Sequence, residues 1–291
     1  MKILSVDVGG TYIKFASMNE KAKIFSRGKI PTPQKSHEDF LNAIFEIFKS
    51  DNFEGIAISM PGIIDAQKGL CITSGALAYN DGKFISTELE KICGVKVTIE
   101  NDANCAALAE AKIGSLADVS DGFVMVFGTM IGGAIIKNHE LQRGKNFLAG
   151  EVSFLMQSFS EDFSDKKFFW QDCSVKILLK NYQRKKNLSE KVSGEKFFQA
   201  VENSDGDALT CLENFTKKIA LQIFNIQIIL DIEKFAIGGG ISEQKIFIDS
   251  IRKSLEKVYS QCSINFPHVE VVPCKFRNDA NLIGAIFNFL N

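Results

Sequence analysis

A chain of 291 residues with 45% hydrophobic and 24% charged side chains, 22 Gly and 5 Pro has the make-up of about two globular domains at roughly 150 residues each, which excludes a minidomain, a collagen-like repeat and a disordered segment. Thirty-four basic against 35 acidic residues leave a formal charge of -1, so no global field gathers nucleic acid or an anionic membrane surface, and any anionic ligand must be held locally. Seven scattered cysteines, no apolar run of membrane-spanning length and no signal-like start predict reduced core thiols in a cytoplasmic protein.

Residues 2–8 have the composition of a buried strand, a Gly-Gly-Thr turn follows, and residues 12–18 read as the hairpin partner, with 22–29 as a third strand. Phe40, Leu41, Ile44, Phe45, Ile47 and Phe48 recur at helical spacing behind Glu38 and Asp39, which predicts an amphipathic helix. Strands are expected over 55–59 and 96–100, then a helix over 103–112. The layout then repeats: a strand over 122–127, a Gly-Thr-Met-Ile-Gly-Gly turn and a strand over 134–137, a candidate internal duplication. A long helix is expected over 207–231, a strand over 235–237, glycines at 238–240 before a helix reaching 259, a strand over 269–272 and a last helix over 280–289. Strands alternating with helices, each series opening on a hairpin, predict two α/β domains with mixed sheets around a cleft.

Three glycine turns follow strands: Gly9, Gly10 and Thr11 behind Asp7, with Lys14 beyond; Gly128, Thr129, Gly132 and Gly133; and Gly238, Gly239 and Gly240. Residues without a Cβ let backbone N–H groups close on a phosphate, and a Thr hydroxyl adds a donor. Any one of these can be a plain turn. Asp7 sharpens the set, because a carboxylate beside an anion-binding turn is repelled unless a cation such as Mg²⁺ lies between. In Glu100-Asn101-Asp102-Ala103-Asn104, Asp102 is either the helix cap or an ionised base for a sugar hydroxyl, and both roles can coexist.

With DVGGTYIK (7–14), MPGIID (60–65), ENDANCAALAE (100–110), FGTMIGGAI (127–135), GEVSFL (150–155), IGGGIS (237–242) and NDANLIGA (278–285), the sequence resembles the ROK family of sugar kinases and repressors over nearly its whole length. The resemblance implies a two-domain actin-like and hexokinase-like ATPase fold, a ribonuclease H-like duplication with an interdomain cleft, divided as 1–116 plus 276–291 and 117–275. It implies ATP with Mg²⁺ as cofactors, a homodimer, and closure on the sugar. The first two glycine turns would clasp the ATP phosphates and the third would lie near the adenosine. Asp7 would face Mg²⁺ through water, and Asp102 would be the base toward the 6-hydroxyl of a hexose or N-acylhexosamine. Gly62, Asn80, Asn101, Asp102, Glu151 and Gln171 would surround the sugar, with Asp172 as the alternative to Gln171.

The departures shape the expected substrate. The family's zinc-binding His and compact cysteine segment have no counterpart, since Val152, Ser153 and Phe154 follow Glu151 and Cys173 stands alone between 106 and 210. No zinc is therefore expected, and His37, His139 and His268 read as ordinary surface or turn residues. Met130 replaces a customary Gly in the second phosphate turn. The zinc-lacking members with a similar 237–244 segment resemble bacterial N-acetylmannosamine kinases of sialic acid catabolism, with glucokinase or β-glucoside kinase as the alternative. Phe154 is either an apolar wall for an acetamido methyl group or filler for the missing zinc. The second NDAN, at 278–281, reads as a helix cap. From another class, a sugar-responsive repressor would carry a helix-turn-helix extension before the first phosphate motif, and a non-catalytic sugar sensor would not need Asp102.

Overall fold

The computed structural model describes residues 1–128, 130–158, 163–164 and 167–291. The chain divides into two compact units: Met1–Gly114 with Leu141–Ala149 and Asn278–Asn291, and Ser115–Glu140 with Gly150–Arg277.

The first unit opens with strands β1 (Ile3–Val8), β2 (Tyr12–Met18) and β3 (Ile24–Pro31), then helix α1 (His37–Phe48). Ser36 caps α1 by accepting from the Asp39 N–H, and Glu38 and Asp39 complement the positive helix end. β4 (Gly55–Met60), the small hairpin β5 (Ile63–Asp65) and β6 (Leu70–Thr73), α2 (Ile85–Cys93), β7 (Lys96–Asn101) and α3 (Asp102–Ile113) follow. The sheet order is β3-β2-β1-β4-β7, antiparallel through the meander and parallel from β1 to β7. Alternation puts Leu4, Val6 and Val8 on the face that packs with Phe40, Ile44, Ile56, Ile58 and Leu89. The other face carries Ser5 and Asp7.

The second unit repeats the scheme. Its strands are β8 (Gly122–Phe127), β9 (Ile131–Lys137), β10 (Glu140–Gln142), whose last two residues belong to the first unit, the short pair β11 (Met156–Ser158) and β12 (Lys167–Phe168), β13 (Lys234–Gly238) and β14 (Glu270–Pro273). Its helices are α4 (Phe169–Cys173), α5 (Val175–Lys185), α6 (Gly194–Glu202), α7 (Gly206–Leu230) and α8 (Lys245–Tyr259). The order β10-β9-β8-β13-β14 matches the first sheet strand for strand, which makes the duplication explicit. Phe123, Phe127, Phe215, Phe235 and Phe247 fill its core. α7 buries an apolar stripe along its length, and Asp205 caps it by accepting from the Asp207 and Ala208 N–H groups.

The last helix, α9 (Ala280–Leu290), returns to the first unit and packs on α3. A Cβ at Gly284 would overlap the Cys105 carbonyl, so the two helices cross with backbones nearly touching. The alanines of α3 serve the same crossing: Ala103 and Ala106 through Ala109 except Leu108 are small and all are buried.

Two expectations shift here. The third strand runs 24–31 rather than 22–29, because Ala22 sits in a left-handed turn at φ 57°. β9 begins at Ile131, so Gly132 and Gly133 pair with Val126 and Met125 inside the ladder instead of lying in the turn. α2, α5 and α6 were not anticipated. Among the described residues no helix is long and apolar enough to cross a membrane.

Candidate functional site

The parallel strands of the first unit end along one edge, where Asp7 stands opposite Ser59, Ser59 opposite Glu100 and Met60 opposite Asn101. Open α/β sheets take ligands outside such carboxyl ends, where loop side chains and backbone donors are free of the ladder. Asp7 is buried, its Oδ1 accepts from Asn281 Nδ2 at 2.9 Å, and Lys14 Nζ stands 3.7 Å from Oδ2. Burial pushes the Asp7 carboxyl above the usual range, against the opposing pull of Asn281 and Lys14.

Just past Asp7, the carbonyls of the first glycine turn are all engaged by the protein. Thr32 Oγ1 donates to Gly9 O at 2.6 Å, Gln34 Nε2 to Gly10 O at 2.9 Å and the Thr32 N–H to Thr11 O at 3.0 Å. With its acceptors tied back, the turn presents donors: Gly10 and Thr11 are exposed. A single buried carboxylate beside such a turn suits Mg²⁺ carried in by a nucleotide, which takes one or two carboxylates and otherwise phosphate and water oxygens. Among the described residues no three His, Cys, Asp or Glu side chains converge as a metal cage.

At the end of β7, Asn101 is the cap of α3, its Oδ1 accepting from the Asn104 N–H at 3.1 Å and its Nδ2 donating to Gly62 O at 2.9 Å. Asp102 is therefore the first helical residue rather than the cap. It is half-buried, and its Oδ1 accepts from the Ala103 N–H at 2.8 Å, on the positive end of α3. Gly62 holds φ 106°, and a Cβ there would overlap Thr73 O, so only glycine fits the turn that meets Asn101.

Beneath Asp102 lies a buried ion pair that sequence reading missed. Glu100, fully buried, accepts from Asn104 Nδ2 at 3.0 Å and from Arg143 Nε at 2.6 Å, while Arg143 Nη2 donates to Asn288 Oδ1 at 3.0 Å. A buried acid flanking the sugar motif was the available signal; its partner, 43 residues away, was not. Asn80 is also fully buried: its Oδ1 lies 2.6 Å from His37 Nδ1, and His37 Nε2 lies 2.9 Å from Glu88 Oε2. His37 is thus a bridging residue inside the first unit, not a surface one. His139, at φ 62°, does sit in a hairpin turn, and His268 stacks on Tyr259 at 4.0 Å.

The second NDAN is not a cap. Asp279 makes no side-chain cap bond to α9; Arg27 grips it through two hydrogen bonds of 2.9 and 2.8 Å, and Asn281 reaches Asp7.

In the second unit the other two glycine turns meet at the carboxyl ends of β8 and β13. Gly239 holds φ 87°, and a Cβ there would overlap the Phe127 carbonyl, the residue before Gly128. Gly238 packs near Val126 and Cys274, and Gly240 opens into free space. The Gly128 N–H donates to Met130 O at 2.9 Å, and Thr129 lies outside the described residues. Gly133 faces the Gly150 carbonyl and the Phe123 ring, so its missing side chain serves a backbone crossing. Ser153 Oγ locks that crossing by bonding both the N–H and the carbonyl of Ile131, at 3.1 and 2.8 Å. A cavity of about 530 Å³ opens beyond β13 and β14, lined among others by Ser242, Glu243, Lys245, Arg252 and Lys275.

Glu151 is exposed, and the protein crowding its carboxylate raises its pKa, with the Ser153 N–H opposing. Phe154 is 55% exposed and meets Phe168 edge-on with centroids 5.8 Å apart, so it is not filler. Gln171 Oε1 accepts from the Phe168 N–H at 2.9 Å, and Asp172 pairs with Lys218 at 3.0 Å.

The sequence model of the ROK family matches residues 3–290. A β-glucoside kinase of Listeria monocytogenes is 30% identical over 294 residues, spanning 100% of this chain and 98% of that protein. A ROK family protein of Streptococcus pneumoniae, solved in complex with sucrose, superposes with a TM-score of 0.90 at 29% identity, covering 100% and 98% of the two chains. A second solved structure, described as a candidate N-acetylmannosamine kinase from Listeria monocytogenes, gives 0.89 at 27% identity, covering 100% and 99%.

Proposed function

This chain belongs to the ROK family, has its actin-like ATPase fold and has sugar kinases as relatives, and from that premise we propose that it transfers the γ-phosphoryl group of ATP to the 6-hydroxyl of a hexose. The observation that carries this reading is the placing of Asp7 and Asp102 along one edge of one parallel sheet, one beside a donor-rich glycine turn and the other on a helix N-terminus.

Asp102, at the positive end of α3, accepts the hydroxyl proton as the sugar oxygen bonds to the γ-phosphorus and the bond from that phosphorus to the bridging oxygen breaks, releasing ADP. Asn101 orients it from the cap position, while the Gly62 loop and Glu151 take neighbouring hydroxyls. The N–H groups of Gly10 and Thr11, with Lys14 and the backbone at Gly128, hold phosphate oxygens and offset the charge that spreads over them. Asp7 would hold, through water, the Mg²⁺ carried in with ATP, which when bound would offset phosphate charge. Adenosine lies against Gly239 and Gly240, where the neighbouring cavity has the size of a small-ligand site.

On the anomeric side we favour a β-glucoside. Phe154, exposed, meets the half-buried Phe168 edge-on beyond Glu151, an arrangement that suits stacking on a glycoside substituent better than enclosing a methyl group. N-acetylmannosamine is the second reading, supported by the likeness to the candidate kinase for that sugar and by the same Phe154 as an apolar wall. A coupled assay of ATP consumption over glucose, N-acetylglucosamine, N-acetylmannosamine, fructose and a β-glucoside separates them. The β-glucoside is expected to show a kcat/KM at least about tenfold above the others. A reversed order installs N-acetylmannosamine, and no turnover with any sugar points to a sensor instead of a kinase.

A further inference from the structure

We propose that Asn281 is a positioning residue for the nucleotide's Mg²⁺: its side-chain amide fixes the Asp7 carboxylate so that one oxygen is spent on the protein and the other is turned to the water shell of the cation. This rests on the kinase reading above and adds a residue to it from a motif that reading leaves unused.

The contact has only one chemical sense. An ionised carboxylate accepts and never donates, so the group facing Asp7 Oδ1 at 2.9 Å must be the amide nitrogen of Asn281. Lys14 cannot do the same work, since its 48% exposed side chain stands 3.7 Å from Oδ2 on a flexible stem. Asn281, by contrast, sits on a helix start that is held on several sides. Ser5 Oγ donates to Leu282 O at 2.7 Å from the strand that carries Asp7, and Gly284 seats α9 against Cys105. Ser5 and Asp7 lie two residues apart and so share a face of β1, and both reach the same turn of α9. The amide therefore cannot drift without lifting the helix.

The test uses calorimetric titration of the full chain with Mg²⁺·ADP and, separately, with ADP in a chelator. Asn281→Ala removes the donor, and Asn281→Leu keeps the bulk while offering no donor; thermal melts establish that each is folded. Both are expected to weaken Mg²⁺·ADP binding about tenfold while leaving metal-free ADP within about twofold, the loss of one charge-assisted hydrogen bond. Arg27→Ala, which loosens the same helix start without touching Asp7, is expected to change neither. The proposal is overturned if folded Asn281 variants keep wild-type Mg²⁺ dependence, or if Arg27→Ala reproduces their loss, which would make the effect one of helix seating. A wild-type protein that phosphorylates no sugar yet shows the metal-specific loss on Asn281→Ala would refute the substrate reading and uphold this one; failure to bind Mg²⁺·ADP at all would end both.

Discussion

The two N-D-A-N segments open helices that follow corresponding strands of the repeat, β7 before α3 and β14 before α9, yet they are used differently. In each, the fourth residue donates to a carboxylate: Asn104 to Glu100 at 3.0 Å and Asn281 to Asp7 at 2.9 Å. In the first segment the opening Asn caps the helix and leaves Asp102 half-buried at its positive end. In the second, the acid is consumed by Arg27. One motif thus yields an acid poised for chemistry and a brace that holds another acid in place. What decides between them is the partner each Asp meets.

That contrast can be broken by mutation, beginning where the effect is greatest. Asp102→Asn is expected to lower kcat by roughly 10² to 10⁴ with sugar affinity within about tenfold, read from steady-state kinetics and a binding titration. Full turnover would erase the difference between the two acids. Arg143→Met leaves the Glu100 carboxylate buried and unpaired, and should cost about 3–5 kcal/mol in a denaturant titration; adding Glu100→Gln should recover part of that loss. Gly284→Ala forces a methyl group against the Cys105 carbonyl and should cost roughly 1–3 kcal/mol, with a larger kinetic defect than its melting shift alone explains because α3 carries Asp102. Asp279→Asn removes only a largely exposed pair with Arg27, so stability should fall by less than about 1 kcal/mol and kcat should stay within about twofold.

The sequence was legible where the signal is local. Apolar strands, glycine turns and the recurrence of strand-turn-strand gave the duplicated α/β scheme, and β2 and β8 run as expected, because hairpins and helices are written in neighbouring residues. The roles of the second N-D-A-N were not, since Arg27 and Asp7 lie 252 and 274 residues from their partners. For the same reason His37 looked like a surface residue when Asn80 and Glu88 enclose it, and Arg143, which neutralises the buried acid before Asp102, drew no reading at all. Gly133 was placed in the turn rather than in β9 because a glycine that opens a backbone crossing and one that opens a turn are the same letter; the strand pairing with Met125 and the Gly150 carbonyl opposite it tell them apart. α2, α5 and α6 escaped because their apolar stripes are short and interrupted by charge.

The central claim is phosphoryl transfer to a sugar 6-hydroxyl, and phosphorus NMR of the reaction with Mg²⁺·ATP and the preferred sugar tests it most directly. A phosphomonoester signal coupled to the C6 methylene protons, growing in step with ADP, is the result predicted here. Phosphate appearing as the free anion, or on any other hydroxyl, would contradict it.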